Sequence, residues 1–93
     1  MHYLYIIYSE KLKKYYVGET SDIDQRLQQH NSHYFKNNYT KGAEDWVGKL
    51  KFRTSSKYEA ILLERYIKRM KGRKFTEKLI ALPAILKDIL KNK

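Results

Sequence analysis

Apolar and polar residues alternate with two different periods along the chain, and the changes of period divide it into elements. "HYLYIIY" (residues 2–8) is almost wholly aromatic and β-branched, which predicts a strand covered on both faces. So aromatic a strand could also stand as an exposed sheet edge. "SEKLKK" predicts a polar turn and "YYVG" (residues 15–18) a second strand, making a hairpin with a connection of about five or six residues. Helix signals follow at once. Ser21 and Asp24 have the form of a capping box, and Ile23, Leu27 and His30 share a face.

Residues 31–45 are polar and interrupted, and read as a loop. "WVGKLKFRT" sets Trp46 or Val47 in alternation with Leu50, Phe52 and Thr54, which predicts a third strand with one basic face. "SSKYEAILLERYIKRMK" is the clearest helix. Ser55 or Ser56 can cap it, Leu62, Leu63, Tyr66, Ile67 and Met70 form its apolar stripe, and Gly72 reads as its stop. "KFTEKLIAL" and "PAILKDILKNK" read as shorter helices, Pro83 being tolerated in a first turn. The expected architecture is α/β (α+β): a small three-stranded antiparallel sheet flanked by helices, in the order β-β-α-β-α-α.

Length and charge sharpen this picture. Ninety-three residues suit one domain, spanning 1–93. Without a single cysteine, neither a disulfide scaffold nor a thiolate metal site is available. No stretch has the layout of a signal peptide and no apolar run could span a bilayer, so a cytoplasmic protein with no membrane partner is expected. The net charge of +10 is unevenly placed: residues 1–64 hold ten Lys/Arg against eight Asp/Glu, and residues 65–93 hold ten against two. A basic surface at one end suits a polyanion, since each neutralised phosphate releases counterions. A merely solubilising helical surface has the same composition. The amphipathic basic tail would also suit anionic lipid, the least favoured of the three.

Among familiar chemistries, there is no phosphate-binding glycine loop and no dinucleotide fingerprint. "HNSH" sets His30 and His33 three apart but lacks nearby acids, which argues against zinc. The polar groups left in structured segments are Tyr5, Tyr8, Tyr16, Arg26, His30 and Glu64. Each has an ordinary explanation. Tyrosines suit pleated sheets, Arg26 can pair with Asp22, Glu64 can pair with Lys68, and His30 can cap a helix end.

Their combination is more specific. "YLYIIYS", then "YYVGETSDIDQRLQQHN", then "EAILLERYIKRMKGR" resembles the GIY-YIG nuclease superfamily across nearly the whole chain. The likeness is greatest to its small stand-alone bacterial members, relatives of the excision-repair nuclease. "YVG" at 16–18 stands for the second half of the name, and "YLY" at 3–5 for the first, with Tyr3 and Leu4 replacing glycine and isoleucine. Arg26 falls ten residues past Tyr16, as the family's arginine does, and Glu64 falls in the later helix that carries the family's metal-binding carboxylate.

The resemblance implies hydrolysis of phosphodiester bonds in DNA by in-line attack of water, on branched, nicked or damaged forms in repair or recombination. RNA stays open as a substrate. Tyr16 would be the general base or the group orienting the water. A free phenol has a pKa near 10, so a nearby metal or arginine would have to lower it. Tyr5 would stand beside it, holding water or a phosphate oxygen. Arg26 would bind the scissile phosphate with its planar fork, and Glu64 would hold Mg²⁺ or Mn²⁺, hard cations that keep several waters. His30, one turn after Arg26, would support proton transfer or contact the phosphate, and Gly18 would serve the turn. Small members lack a DNA-targeting domain. Arg65, Lys68, Arg69, Lys71, Arg73 and Lys74 would then supply the nucleic-acid surface, or a protein partner the targeting.

Two positions depart from the family pattern. Glu19 stands where repair-type members carry lysine, and an acid there repels phosphate or recruits a second cation. "KGRKF" stands where some members place an asparagine. The alternative function is a non-catalytic nucleic-acid-binding module that retains the fold.

Overall fold

The computed structural model describes residues 1–32, 43–70 and 72–92. Among these residues the elements are β1 (His2–Ser9), β2 (Lys14–Thr20), α1 (Ile23–Asn31), β3 (Val47–Thr54), α2 (Lys57–Met70), α3 (Arg73–Ala81) and α4 (Ala84–Lys91). The order is therefore β-β-α-β-α-α-α: α2, α3 and α4 fall on the three segments read as helices, one more than the expected order β-β-α-β-α-α counts. Leu82 leaves the helical region at the end of α3, and Pro83, which has no N–H to donate, starts α4 as its N-cap.

The three strands form one antiparallel sheet in the order β2-β1-β3. The aromatic first strand is thus central, not an edge, and its continuous apolar run has a direct physical cause. Leu4 and Ile6 point to one face, where they pack with Val17 of β2 and with Leu63, Ile67, Leu79 and Leu86 of the three later helices. Tyr5 and Ile7 point to the other, against Ala43, Trp46 and the α1 residues Ile23 and Leu27. Period-two geometry sends neighbours to opposite faces, and both are covered. On β3 the alternation is one-sided: Lys49, Lys51 and Arg53 are exposed, and the Lys51 ammonium lies 4.9 Å from the Tyr3 ring centre.

Several local features differ from the sequence reading. The hairpin connection is the four residues between Ser9 and Lys14, and Lys13 takes the left-handed conformation (φ 53°). Asp22, not Ser21, caps α1: its carboxylate accepts from the Gln25 amide at 3.0 Å, and the Thr20 hydroxyl accepts from the Asp22 amide at 3.1 Å. The Thr20 hydroxyl holds the chain extended one residue further, which moves the cap. Ser56 caps α2 by accepting from the Glu59 amide, while the Glu59 carboxylate accepts from the Ser55 amide. Met70 leaves the apolar stripe and is 50 % exposed, whereas Ala60 is fully buried. Gly72 has an extended conformation (φ −125°) and caps α3 rather than ending α2 in a left-handed turn. No helix among the described residues is long and apolar enough to cross a membrane.

Two polar clips hold α1 and the hairpin to the chain before β3. Asn31 donates to the Trp46 carbonyl at 3.0 Å and accepts from its amide at 2.7 Å, closing the end of α1 on a buried indole. Asp45 accepts from the buried Ser9 hydroxyl at 2.6 Å and from the Lys11 amide at 3.0 Å. Asn31→Ala removes both side-chain bonds to the Trp46 backbone and should lower unfolding free energy by about 1–3 kcal/mol in urea titrations. An unchanged midpoint would show that the clip contributes nothing to docking α1.

Candidate active site at the edge of β2

The hairpin register sets Tyr5 directly opposite Gly18. A Cβ at Gly18 would lie 2.5 Å from the Tyr5 hydroxyl oxygen and 2.6 Å from Cζ. The Tyr5 side chain therefore lies across the β2 backbone, and only a hydrogen fits beneath it. Gly18 serves no turn. It sits inside a strand, its φ is not positive, and its role is to leave room.

Beyond Gly18 the Tyr5 hydroxyl meets His30 Nε2 at 2.9 Å, and the two side chains are 2 % and 1 % exposed. Burial, with the Arg26 charge adding to it, lowers the His30 pKa from 6.5 to about 4. The ring is thus neutral at pH 7, and it shares one buried hydrogen bond with the tyrosine hydroxyl. Tyr5 shifts the opposite way. Burial raises its pKa well above the ordinary phenol value, Tyr16, Glu64 and Glu19 raise it further, and Arg26 partly opposes them. Both shifts hold the proton on Tyr5.

Tyr16 flanks this pair, its ring centre 4.9 Å from that of His30 and 6.3 Å from that of Tyr5. From α2, the Lys68 ammonium sits 5.3 Å from the Tyr16 ring centre and donates to the Glu64 carboxylate at 2.6 Å. A helix packed on the opposite sheet face thus reaches round the β2 edge to Tyr16, because among the described residues β2 is an edge strand. Arg26 projects from α1 close enough for its charge to act on both Tyr5 and His30. Tyr5, Tyr16, Arg26, His30 and Glu64 therefore converge from β1, β2, α1 and α2. His30 lies behind the tyrosines, away from solvent.

The basic residues have different neighbours. Lys68 belongs to the site, and Arg65 and Lys74 are exposed. Arg69 lies 5.9 Å from the Tyr66 ring centre. Arg73 clamps α3 to the hairpin: it donates to the Lys13 carbonyl at 3.0 Å and lies 5.7 and 5.5 Å from the Tyr8 and Tyr15 ring centres. Lys71 and His33 lie outside the described residues. The sequence reading missed the contact between Glu19 and His2, which gives the departing acid a basic neighbour. It also missed the Tyr5–Gly18 approach. A four-residue connection would have revealed the latter, since it alone fixes which residues face each other.

Among the described residues no three His, Cys, Asp or Glu side chains form a metal-binding group. The donors fit a hard cation held by one carboxylate and its own waters, Glu64 being shielded but still 21 % exposed. They do not fit a soft, fully enclosed metal.

The chain matches the family described as the GIY-YIG catalytic domain over residues 1–78. It is also similar to the solution NMR structure of the UPF0213 protein BH0048 from Bacillus halodurans. That likeness has 31 % identity and a TM-score of 0.55, and covers 87 % of this chain and 83 % of the other. No curated protein matches it.

Two outcomes follow from the Tyr5–Gly18–His30 arrangement. Gly18→Ala should cost about 1–3 kcal/mol by overpacking against a pinned ring, read as a lowered denaturation midpoint. A wild-type midpoint would show that Tyr5 moves aside freely. His30 has a lower pKa folded than unfolded, so the unfolded chain binds its proton more readily. Its contribution is complete above pH 6.5 and is lost as the pH falls toward about 4, amounting to about 3 kcal/mol at most. Stability should therefore fall over that window more steeply in wild type than in His30→Gln. Parallel pH profiles would refute the neutral buried ring.

Proposed function

The chain belongs to the GIY-YIG family, and from that membership we propose a divalent-metal-dependent endonuclease that hydrolyses phosphodiester bonds in DNA, acting on branched, nicked or damaged forms. The observation carrying this reading is the convergence of Tyr5, Tyr16, Arg26 and Glu64 on one sheet edge from four elements that are distant in sequence. Ordinary surface pairs would leave these residues scattered.

Each residue has a distinct part. Arg26 binds two oxygens of the scissile phosphate through its planar fork and offsets charge developing on them. Tyr16 orients the attacking water with its hydroxyl oxygen. Tyr5 keeps its proton and is pinned by its hydrogen bond to His30, so it fixes the geometry in which the water is held beside Tyr16. His30 acts through Tyr5 as a positioning residue, because it is buried. Glu64 would hold Mg²⁺ or Mn²⁺, which supplies positive charge to the oxygen leaving the phosphorus. Lys68 occupies that carboxylate in the structure, so it must release Glu64 when a cation binds. A surface ion pair of this kind is worth about 0–1 kcal/mol, a small barrier to exchange.

The Glu64–Lys68 pair also favours the second reading, a nucleic-acid-binding module with the fold and no catalysis. The two are separated by cleavage of end-labelled single-stranded, duplex, nicked and branched DNA in Mg²⁺, Mn²⁺ or EDTA. Wild type should cut only with metal. Glu64→Ala and Tyr16→Phe should each lose at least about a hundredfold in rate, while Glu64→Ala keeps its low-salt DNA affinity. Equal cutting by Glu64→Ala would remove the metal assignment, and salt-sensitive binding without cutting by wild type would establish the module.

A further inference from the structure

Next to the site, where β2 meets the junction of α2 and α3, lies a cleft of about 480 Å³. Its lining is largely apolar and aromatic, with Val17, Ile67, Tyr15 and Tyr16, Tyr15 packing with the face covered by α2–α4 and Tyr16 with the face covered by α1. Its rim is cationic, carrying Lys13, Lys14, Lys68 and Arg73. Tyr16 and Lys68 belong to both the cleft and the candidate active site, so the two are continuous along the β2 edge. Lys14 is two residues from Tyr16, about 7 Å along an extended strand.

We propose that this cleft is a subsite for one unpaired nucleotide adjoining the scissile phosphate, its base on the apolar lining beside Tyr15 and its phosphate at the cationic rim. The inference rests on the nuclease reading above and narrows it to strands with an unpaired residue at the cut. Four observations support it. The volume falls within the range of small-ligand pockets, about 300–1,000 Å³, and is too small for a paired helix. Aromatic walls combined with a cationic rim are how single strands are held without base readout. The first turn of α3 opens into the cleft at Gly72, Arg73 and Thr76, and Gly72 has no side chain to cap its amides, which adds a favourable field for phosphate. Finally, a lysine stands at Lys13 in a left-handed conformation that glycine adopts more readily, so its side chain is placed on the rim against the local backbone preference.

Acids share the rim. Glu10 accepts from Lys13 at 2.8 Å, and Glu77 accepts from Arg73 and from the Tyr15 hydroxyl. The Lys13 and Arg73 pairs are solvent-exposed and individually weak, so a phosphate displaces them readily.

The test uses thymidine 5′-monophosphate, which has no cleavable diester, followed through the amide NMR signals of the wild-type chain. Inorganic phosphate and thymidine serve as separate probes. Shifts should cluster at residues 13–17 and 72–76, and the nucleotide should bind more tightly than either probe. In EDTA, a labelled oligothymidylate should bind Lys13→Gly/Lys14→Ala about tenfold more weakly than wild type. Because Lys13→Gly relieves the left-handed residue, the variant's melting temperature should not fall. Shifts elsewhere, phosphate binding as tight as the nucleotide, or unchanged oligonucleotide affinity would each overturn the subsite. Metal-dependent cutting with unchanged affinity in the double variant removes the subsite and leaves the nuclease. Cleft shifts in a chain that cuts nothing leave the subsite and remove the nuclease.

Discussion

A tyrosine ring laid over a glycine in the middle of a strand governs the rest of the site. Tyr5 crosses β2 only because Gly18 has no Cβ, and it reaches His30 only because it crosses there. That one buried hydrogen bond joins β1 to α1 across β2. It brings Arg26, on the preceding turn of α1, to the same edge as Tyr16. Breaking the approach at Gly18 would release Tyr5, and with it the placement of α1.

Electrostatics follows from the same burial. The His30 ring is forced neutral and the Tyr5 phenol is forced to keep its proton, so the pair is a fixed polar hinge and not a proton relay. On the outer side of the site, Tyr16, Arg26 and the Glu64–Lys68 pair lie nearer to water. The excess of cations after residue 64 is likewise divided by the fold. Lys68 serves the β2 edge, Arg73 ties the hairpin to α3, and Arg69 covers Tyr66. Lys68 and Arg73 nonetheless line the same cleft.

Much of the fold was legible in residue order. The two-faced burial of β1 follows from an unbroken run of apolar residues, and the basic face of β3 from strict alternation. The α2 stripe follows from helical spacing, save that Met70 lies past the last packed turn. The moved cap of α1 had a local cause, the Thr20 hydroxyl, while Pro83 divides the last helical stretch where the sequence places the break. That β1 lies between its neighbours was not legible, because a hydrophobic run says that both faces are covered but not which strand pairs along each edge.

The candidate site divides in the same way. Sequence alone determined which side chains are available, and the spacing of "YVG", Arg26 and Glu64 determined their family resemblance, because side-chain chemistry and helical or strand period are local properties. Only tertiary structure decided what each one does. Register set Tyr5 over Gly18, burial made His30 a neutral partner for its hydroxyl, and the docking of α2 carried Lys68 and Glu64 round to Tyr16. Those outcomes depend on contacts between residues tens of positions apart, and on the loss of water around them, neither of which is written in any short stretch of the chain.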